Sequence, residues 1–171
     1  MFLRSSRFAA CMAMGALCAT LAFAQTNYPE PPEWIEAETP PPPAFQLDKL
    51  VQVDVDSRGS LRYGIDPATV SIGKDGVVRY VMVAHSPSGA MTAMYEGLRC
   101  NTGDFKLYAR YNDGRWTAVA SPEWQSIFDA TRLKYPLALA RQGGCDSKAP
   151  PSSVQEMVRR LKNPGPIVYP G

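Results

Sequence analysis

Residues 77–100 read Val77-Val78-Arg79-Tyr80-Val81-Met82-Val83-Ala84-His85-Ser86-Pro87-Ser88-Gly89-Ala90-Met91-Thr92-Ala93-Met94-Tyr95-Glu96-Gly97-Leu98-Arg99-Cys100. Two long runs rich in β-branched and aromatic residues flank a Pro-Ser-Gly turn, which is the pattern of an antiparallel hairpin. If residues 86–89 form the loop, His85 pairs with Ala90. One row of the hairpin then sets Val77 against Leu98, Arg79 against Glu96, Val81 against Met94 and Val83 against Thr92. The other row sets Tyr80 against Tyr95 and Val78 against Gly97. Arg79 and Glu96 are thereby expected to face each other inside an apolar row, as a partly buried ion pair serving as a structural clamp or as the floor of a ligand pocket. Carried across the next turn, the same register puts Leu98 beside Leu107, Glu96 beside Ala109 and Arg99 opposite Lys106.

Outward from this hairpin the pattern stays β-type. Residues 50–55 alternate, 63–66 and 69–72 are short strands around Pro67, and Asp75-Gly76 is a turn leading into the hairpin. Asn101-Thr102-Gly103-Asp104 turns the chain into a strand over 105–111, and Asn112-Asp113-Gly114 turns it again into 115–119. Two helices follow in the reading. Ser121 as cap and Pro122 at the first helical position predict a short one carrying Trp124, Ile127 and Phe128. Ser153 and Glu156 form a capping box for a second, in which Val154, Met157, Val158 and Leu161 share a face and Asn163-Pro164 ends it. Residues 133–140 fit either a strand or a helix. The fold class expected is α+β: an antiparallel meander with two or three short helices packed on it, preceded by a proline-rich N-terminal arm.

The start of the chain reads as a signal peptide over 1–24. Arg4 and Arg7 precede an apolar stretch, and Ala22-Phe23-Ala24 supplies a small-x-small cleavage site before Gln25. The apolar stretch is shorter than a bilayer span requires, so no stable membrane span is expected. Leu17 before Cys18 is not the small residue that precedes a lipid-modified cysteine. Location in the periplasm, with cleavage after Ala24, is the expectation.

The 171 residues carry 18 Lys+Arg and 16 Asp+Glu. Removing Arg4 and Arg7 brings the mature chain to neutrality, which argues against nucleic acid as a partner. Cys11 and Cys18 leave with the signal peptide. The remaining pair, Cys100 and Cys145, is expected to form a disulfide in an oxidising compartment. Residues 25–46 form a leader rich in proline and glutamate. Pro40 to Pro43 favour an extended polyproline spacer, and Trp34 is a candidate docking anchor. A single globular domain over 47–163 and a tail over 164–171 complete the organisation.

Much chemistry is missing. His85 is the chain's one histidine, too few for a typical zinc site or a Ser-His-Asp relay, and no phosphate-binding or nucleophile-elbow motif occurs. Asp54-Val55-Asp56-Ser57-Arg58-Gly59 opens like a calcium loop but puts Arg58 at a ligand position. No metal, no cofactor and no catalytic residue are assigned from sequence.

Tyr63-Gly64-Ile65-Asp66, the run from Ser71 to Tyr80, Ser86-Pro87-Ser88-Gly89-Ala90 and Tyr95-Glu96-Gly97-Leu98-Arg99-Cys100 occur in order, after a leader containing tryptophan and proline. In these motifs the chain resembles the cryptic neisserial protein-like family of exported proteobacterial proteins, over about residues 34–162. Thr92 and Leu98 stand where that family's pattern has Asn and Ile. The resemblance implies a periplasmic protein, lipid-anchored in some members, without an assigned activity. The function expected is therefore non-enzymatic and envelope-associated, with an envelope protein or a small ligand as partner. The alternative is a hydrolase of cell-envelope material working through carboxylates such as Glu96.

Overall fold

Among the described residues, eight strands make one sheet in which every pairing is antiparallel. They are β1 (Val51–Val53), β2 (Arg62–Ile65), β3 (Ser71–Ile72), β4 (Val77–His85), β5 (Met91–Arg99), β6 (Asp104–Asn112), β7 (Arg115–Ala118) and β8 (Gln125–Ser126). The main path runs β1-β2-β4-β5-β6-β7, with β3 adding to β4 and β8 to β6. Two helices, α1 (Tyr135–Leu139) and α2 (Val154–Lys162), pack on one face of the sheet. This computed structural model describes residues 33–55, 59–129 and 133–164. The expected signal peptide, residues 25–32 of the leader, residues 56–58 and residues 165–171 lie outside the described residues.

β4 is buried from Val77 to Val83, which explains why its sequence is apolar at nearly every position and not only at alternate ones. Its even-numbered residues and those of β5 look toward the helices. Val78, Tyr80, Met82, Met94 and Leu98 join Ile65, Phe105, Tyr135 and Leu139 of α1, and Met157 and Leu161 of α2, in one core. The opposite face carries Val81, Val83, Ala93, Tyr95, Tyr108 and Ala109, with Phe45, Leu50 and Trp116 packed over them. Residues 34–46 hold no helix or strand, and from Trp34 onward the chain clusters as one unit.

The hairpin register differs from the sequence reading by one residue. His85 pairs with Met91, and the ladder runs through Val83 with Ala93, Tyr80 with Glu96, Arg79 with Gly97 and Val77 with Arg99. The cause is the turn. Ser86 N donates to Ala90 O at 2.9 Å and Gly89 N to Ser86 O at 3.0 Å, which leaves a three-residue loop with Gly89 at φ +88°. A type I turn closed by a left-handed glycine is the usual geometry of that loop length. Because side chains alternate, the slip of one residue moves Glu96 to the opposite face from Arg79. The facing pair Arg79–Glu96 is therefore replaced by two separate arrangements.

The next pairing also corrects the reading. Arg99 lies opposite Asp104, not Lys106, and its guanidinium meets that carboxylate at 2.8 Å. Between Tyr95–Ala109 and Glu96–Leu107 the register shifts, so Tyr108 is an extra residue in β6. Beyond this bulge Arg110 pairs with Met94 and so returns to the face of Glu96.

The expected helix from Ser121 is absent. β8 forms instead and pairs with Asp104 and Phe105 of β6, after which Ile127 N donates to Gly103 O at 3.0 Å. Backbone partners on the edge of β6 outcompete a short helix whose Phe128 would remain exposed. The ambiguous residues 133–140 resolve as α1. α2 has its expected limits, and the Ser153 hydroxyl accepts from Glu156 N at 3.1 Å. Glu156 turns outward to Arg159 and Arg160 and does not close the second half of the capping box. Cys100, just after β5, is joined to Cys145, which follows the wide turn after α1.

Candidate functional site

Glu96 is the most deeply placed charge-bearing residue described here, with no exposed surface. The β4–β5 ladder sets it beside Tyr80, and the packing of α1 brings Tyr135 over it. The Tyr135 hydroxyl donates to Glu96 Oε1 at 2.5 Å. The Tyr80 hydroxyl lies near the carboxyl without making a well-formed hydrogen bond, and among the described residues Glu96 Oε2 has no hydrogen-bond partner. Burial pushes this carboxyl up to about 7, against the opposing pull of the Tyr135 and Tyr80 hydroxyls and the Arg110 charge. Burial and the neighbouring Glu96 charge also push the Tyr135 hydroxyl upward.

A cavity of about 420 Å³ adjoins the carboxyl, with Tyr63, Met94, Phe105, Arg110 and Tyr135 among its walls. Tyr63 stacks on Tyr135 with ring centroids 4.9 Å apart. Among the described residues lining this space, Glu96 is the one carboxylate. It can hold or release a proton near neutrality and accept a hydrogen bond. The paired carboxylates of an acid–base hydrolase are not present in that wall.

Arg79, 2% exposed, belongs to a different cluster on the opposite face. Its guanidinium donates twice to Asp75, at 3.2 and 2.8 Å, and once to Ala37 O at 3.2 Å. Asp75 also accepts from Ala37 N at 2.9 Å and from Val77 N at 3.2 Å. Burial would raise the Asp75 carboxyl, but these donors, Arg79 first, hold it below its usual range. Gly73 is required here, since a Cβ would stand 2.2 Å from Asp75 Oδ1 and 2.6 Å from an Arg79 nitrogen.

Beside this pair the segment from Trp34 to Thr39 lies on the sheet. The Glu36 carboxylate receives Lys106 Nζ at 2.6 Å, the Tyr108 hydroxyl at 2.7 Å and Trp124 Nε1 at 3.2 Å, with Arg79 4.0 Å away. Burial acts to raise Glu36, but Lys106 and the other donors bring it below its ordinary value. Trp34 donates its indole N–H to Asp75 O at 2.9 Å and meets Trp124 edge to face. The Arg99 guanidinium lies 4.4 Å from the Trp34 ring and 4.9 Å from that of Trp124. A wider cavity of about 630 Å³ opens between Pro40–Pro42 and Tyr95, Tyr108 and Trp116. Its charged groups, Glu36 and Lys106, are already paired with each other.

Of the residues singled out by sequence, Cys100 and Cys145 are brought together, Arg79 and Glu96 are separated, and Trp34 contacts Asp75 and Trp124. Sequence reasoning missed Asp75, which read only as a turn residue, and Glu36, one acid among several in the leader. It also missed Tyr135 and Arg110, whose positions depend on α1 and on the β6 bulge. Asp75 and Arg79 carried a usable signal: an acid within a tight turn and an arginine four residues on, in the strand that leaves it.

Comparison with curated proteins and with solved structures gives no match. The CNP1-like family matches residues 29–162, most of the chain, and the protein belongs to that family.

Proposed function

We propose that this member of the CNP1-like family is an exported periplasmic protein that binds a small molecule in the envelope without transforming it, in the cavity beside Glu96. One observation carries the reading: a fully buried carboxyl, one oxygen of which has no well-formed hydrogen bond among the described residues, adjoins a cavity of about 420 Å³. Leaving a buried carboxyl oxygen unmatched costs free energy, and a bound molecule that supplies the missing donor recovers it. A single carboxylate in a largely apolar and aromatic wall that also carries Thr92, Arg110 and Gln125 suits recognition, where a few polar groups fix a ligand's orientation.

The test is a thermal-shift screen of the purified mature protein against envelope metabolites. A ligand at a hundred times its Kd should add about 2.7 kcal/mol to stability. The shift should disappear in Glu96→Gln. A screen without hits, or hits that the substitution leaves unchanged, would remove the cavity from consideration. Turnover of a cell-wall fragment that requires Glu96 would favour the hydrolase instead. Export is supported by Ala22-Phe23-Ala24 ahead of Gln25. Intact mass of periplasmic material should begin at Gln25; retained residues 1–24 or a lipid adduct would count against it.

A further inference from the structure

The walls beside Glu96 and the carboxyl itself ask for different things from one occupant. Tyr63 and Tyr135 stack at an interplanar angle of 21°, and Phe105 meets Tyr135 at 67° with centroids 6.5 Å apart. Met94 and Leu107 add apolar surface to a lining that also includes Thr92, Arg110 and Gln125. Aromatic faces are electron-rich and attract cations. The carboxyl oxygen Oε2 is buried and has no well-formed hydrogen bond among the described residues, the Tyr80 hydroxyl lying near it, while Oε1 is already taken by Tyr135.

Resting on the reading that this cavity holds a small ligand, we propose that the ligand is a monoammonium compound, a protonated amine on a short apolar or aromatic body, with its N–H directed to Glu96 and its body against Tyr63, Met94 and Phe105. A neutral donor would satisfy the carboxyl but gain little from the ring faces, and an anion would be repelled by an ionised Glu96. Arg110, which the β6 bulge returns to this side, lines the same cavity from its exposed edge. Its charge disfavours a second ammonium at the far end of the ligand, so monoamines are preferred over diamines.

The groups facing Glu96 are Tyr80 from β4, Tyr63 from β2, Tyr135 from α1 and Arg110 from β6. All three tyrosine hydroxyls are shifted upward by burial, and so stay neutral through the range in which Glu96 titrates. An ammonium binds the ionised carboxyl, so affinity rises with pH as Glu96 loses its proton.

Isothermal titration of the mature protein with 2-phenylethylamine, 1,4-diaminobutane, 3-phenylpropan-1-ol and 3-phenylpropionate tests this at pH 6 and pH 8. The expected result is that 2-phenylethylamine binds about tenfold or more tightly than the other three. Its affinity should rise about tenfold from pH 6 to pH 8. Glu96→Gln should abolish both the preference and the pH dependence. Arg110→Ala, a change at an exposed position, should strengthen the diamine selectively and tests the geometry without touching the core. Equal binding of the alcohol, tighter binding of the acid, a flat pH response or no binding of the amine overturns the proposal. A hit of another chemical class in the thermal-shift screen, combined with any of these, overturns the ammonium and leaves the binding reading standing. Absence of every ligand overturns both.

Discussion

Gly97 stands directly opposite Arg79 on the neighbouring strand, and Tyr108 lies over the place where a side chain at 97 would be. A Cβ there would be 2.5 Å from the Tyr108 oxygen and 2.9 Å from Val77 Cγ1. That hydroxyl is the one that reaches Glu36 at 2.7 Å. The glycine thus serves a close approach of side chains and not an unusual backbone angle. Gly97→Ala should displace the Tyr108 ring and cost about 1–3 kcal/mol, the usual scale of overpacking. Urea unfolding measures it, and a loss below about 0.5 kcal/mol would show that the ring has room to move.

Arg79 and Asp75 form the buried ion pair of this fold, with side chains 3% and 1% exposed. Removing one partner leaves the other uncompensated, so Arg79→Met or Asp75→Asn should each cost about 3–5 kcal/mol. Replacing both by apolar residues should cost much less than twice that. Arg79→Met combined with Glu96→Leu should instead be additive within about 0.5 kcal/mol, since the two lie on opposite faces and share no hydrogen-bond partner. A large coupling between Arg79 and Glu96 in that double-mutant cycle would contradict the register of β4 and β5.

Glu96 makes the protein less stable as pH rises. Its carboxyl sits at about 7 in the fold against an ordinary 4.5, so the folded state holds a proton that the unfolded chain has released. Stability from this group is fully present below 4.5, falls between 4.5 and 7, and by pH 8 the loss is roughly 3 kcal/mol. Glu96→Gln should be close to neutral at pH 5 and stabilising at pH 8. Denaturation midpoints across that range, measured without added ligand, check the sign; parallel curves for both proteins would refute it.

The Cys100–Cys145 bond closes a loop of sequence separation 45. In the chain-entropy picture its loss destabilises by up to about 4 kcal/mol. Guanidinium unfolding with and without reductant should show a clear fall in midpoint. Coincident curves, with both thiols titrating as free in the reduced sample, would mean that the link does not contribute to stability.

The limits of β4, β5, β6 and β7 were legible because Asp75-Gly76, the Ser86 to Gly89 run, Asn101 to Asp104 and Asp113-Gly114 punctuate the runs between them. Asp113 and Gly114 both take positive φ, at 50° and 79°, in the two-residue turn that their sequence favours. What pattern could not supply was which residue of Ser86 to Gly89 belongs to the strand, since a four-residue and a three-residue loop differ only in the conformation of Gly89. That single choice decides the face of Glu96 and hence its partner. The β6 bulge is similarly silent, because Tyr108 and Ala109 satisfy the pattern on either side. Ser121-Pro122 carried a valid helix signal that tertiary pairing with β6 overrode. Glu36 and Tyr135 gain meaning only when distant segments meet at the sheet, so no local rule could find them.

The extra residue in β6 makes one strand serve two unrelated neighbourhoods. Lys106 before it and Tyr108 itself look toward Glu36; after it, Arg110 is delivered to the cavity of Glu96 on the other side. Deleting Tyr108 would leave Ala109 opposite Tyr95 and Arg110 opposite Met94, so the ladder would become regular while the charged wall of that cavity stayed in place. What the deletion takes away is a donor to Glu36. The surplus residue therefore belongs to the anchorage of the leader, and at this point of the strand one face of the sheet can be altered without recharging the other.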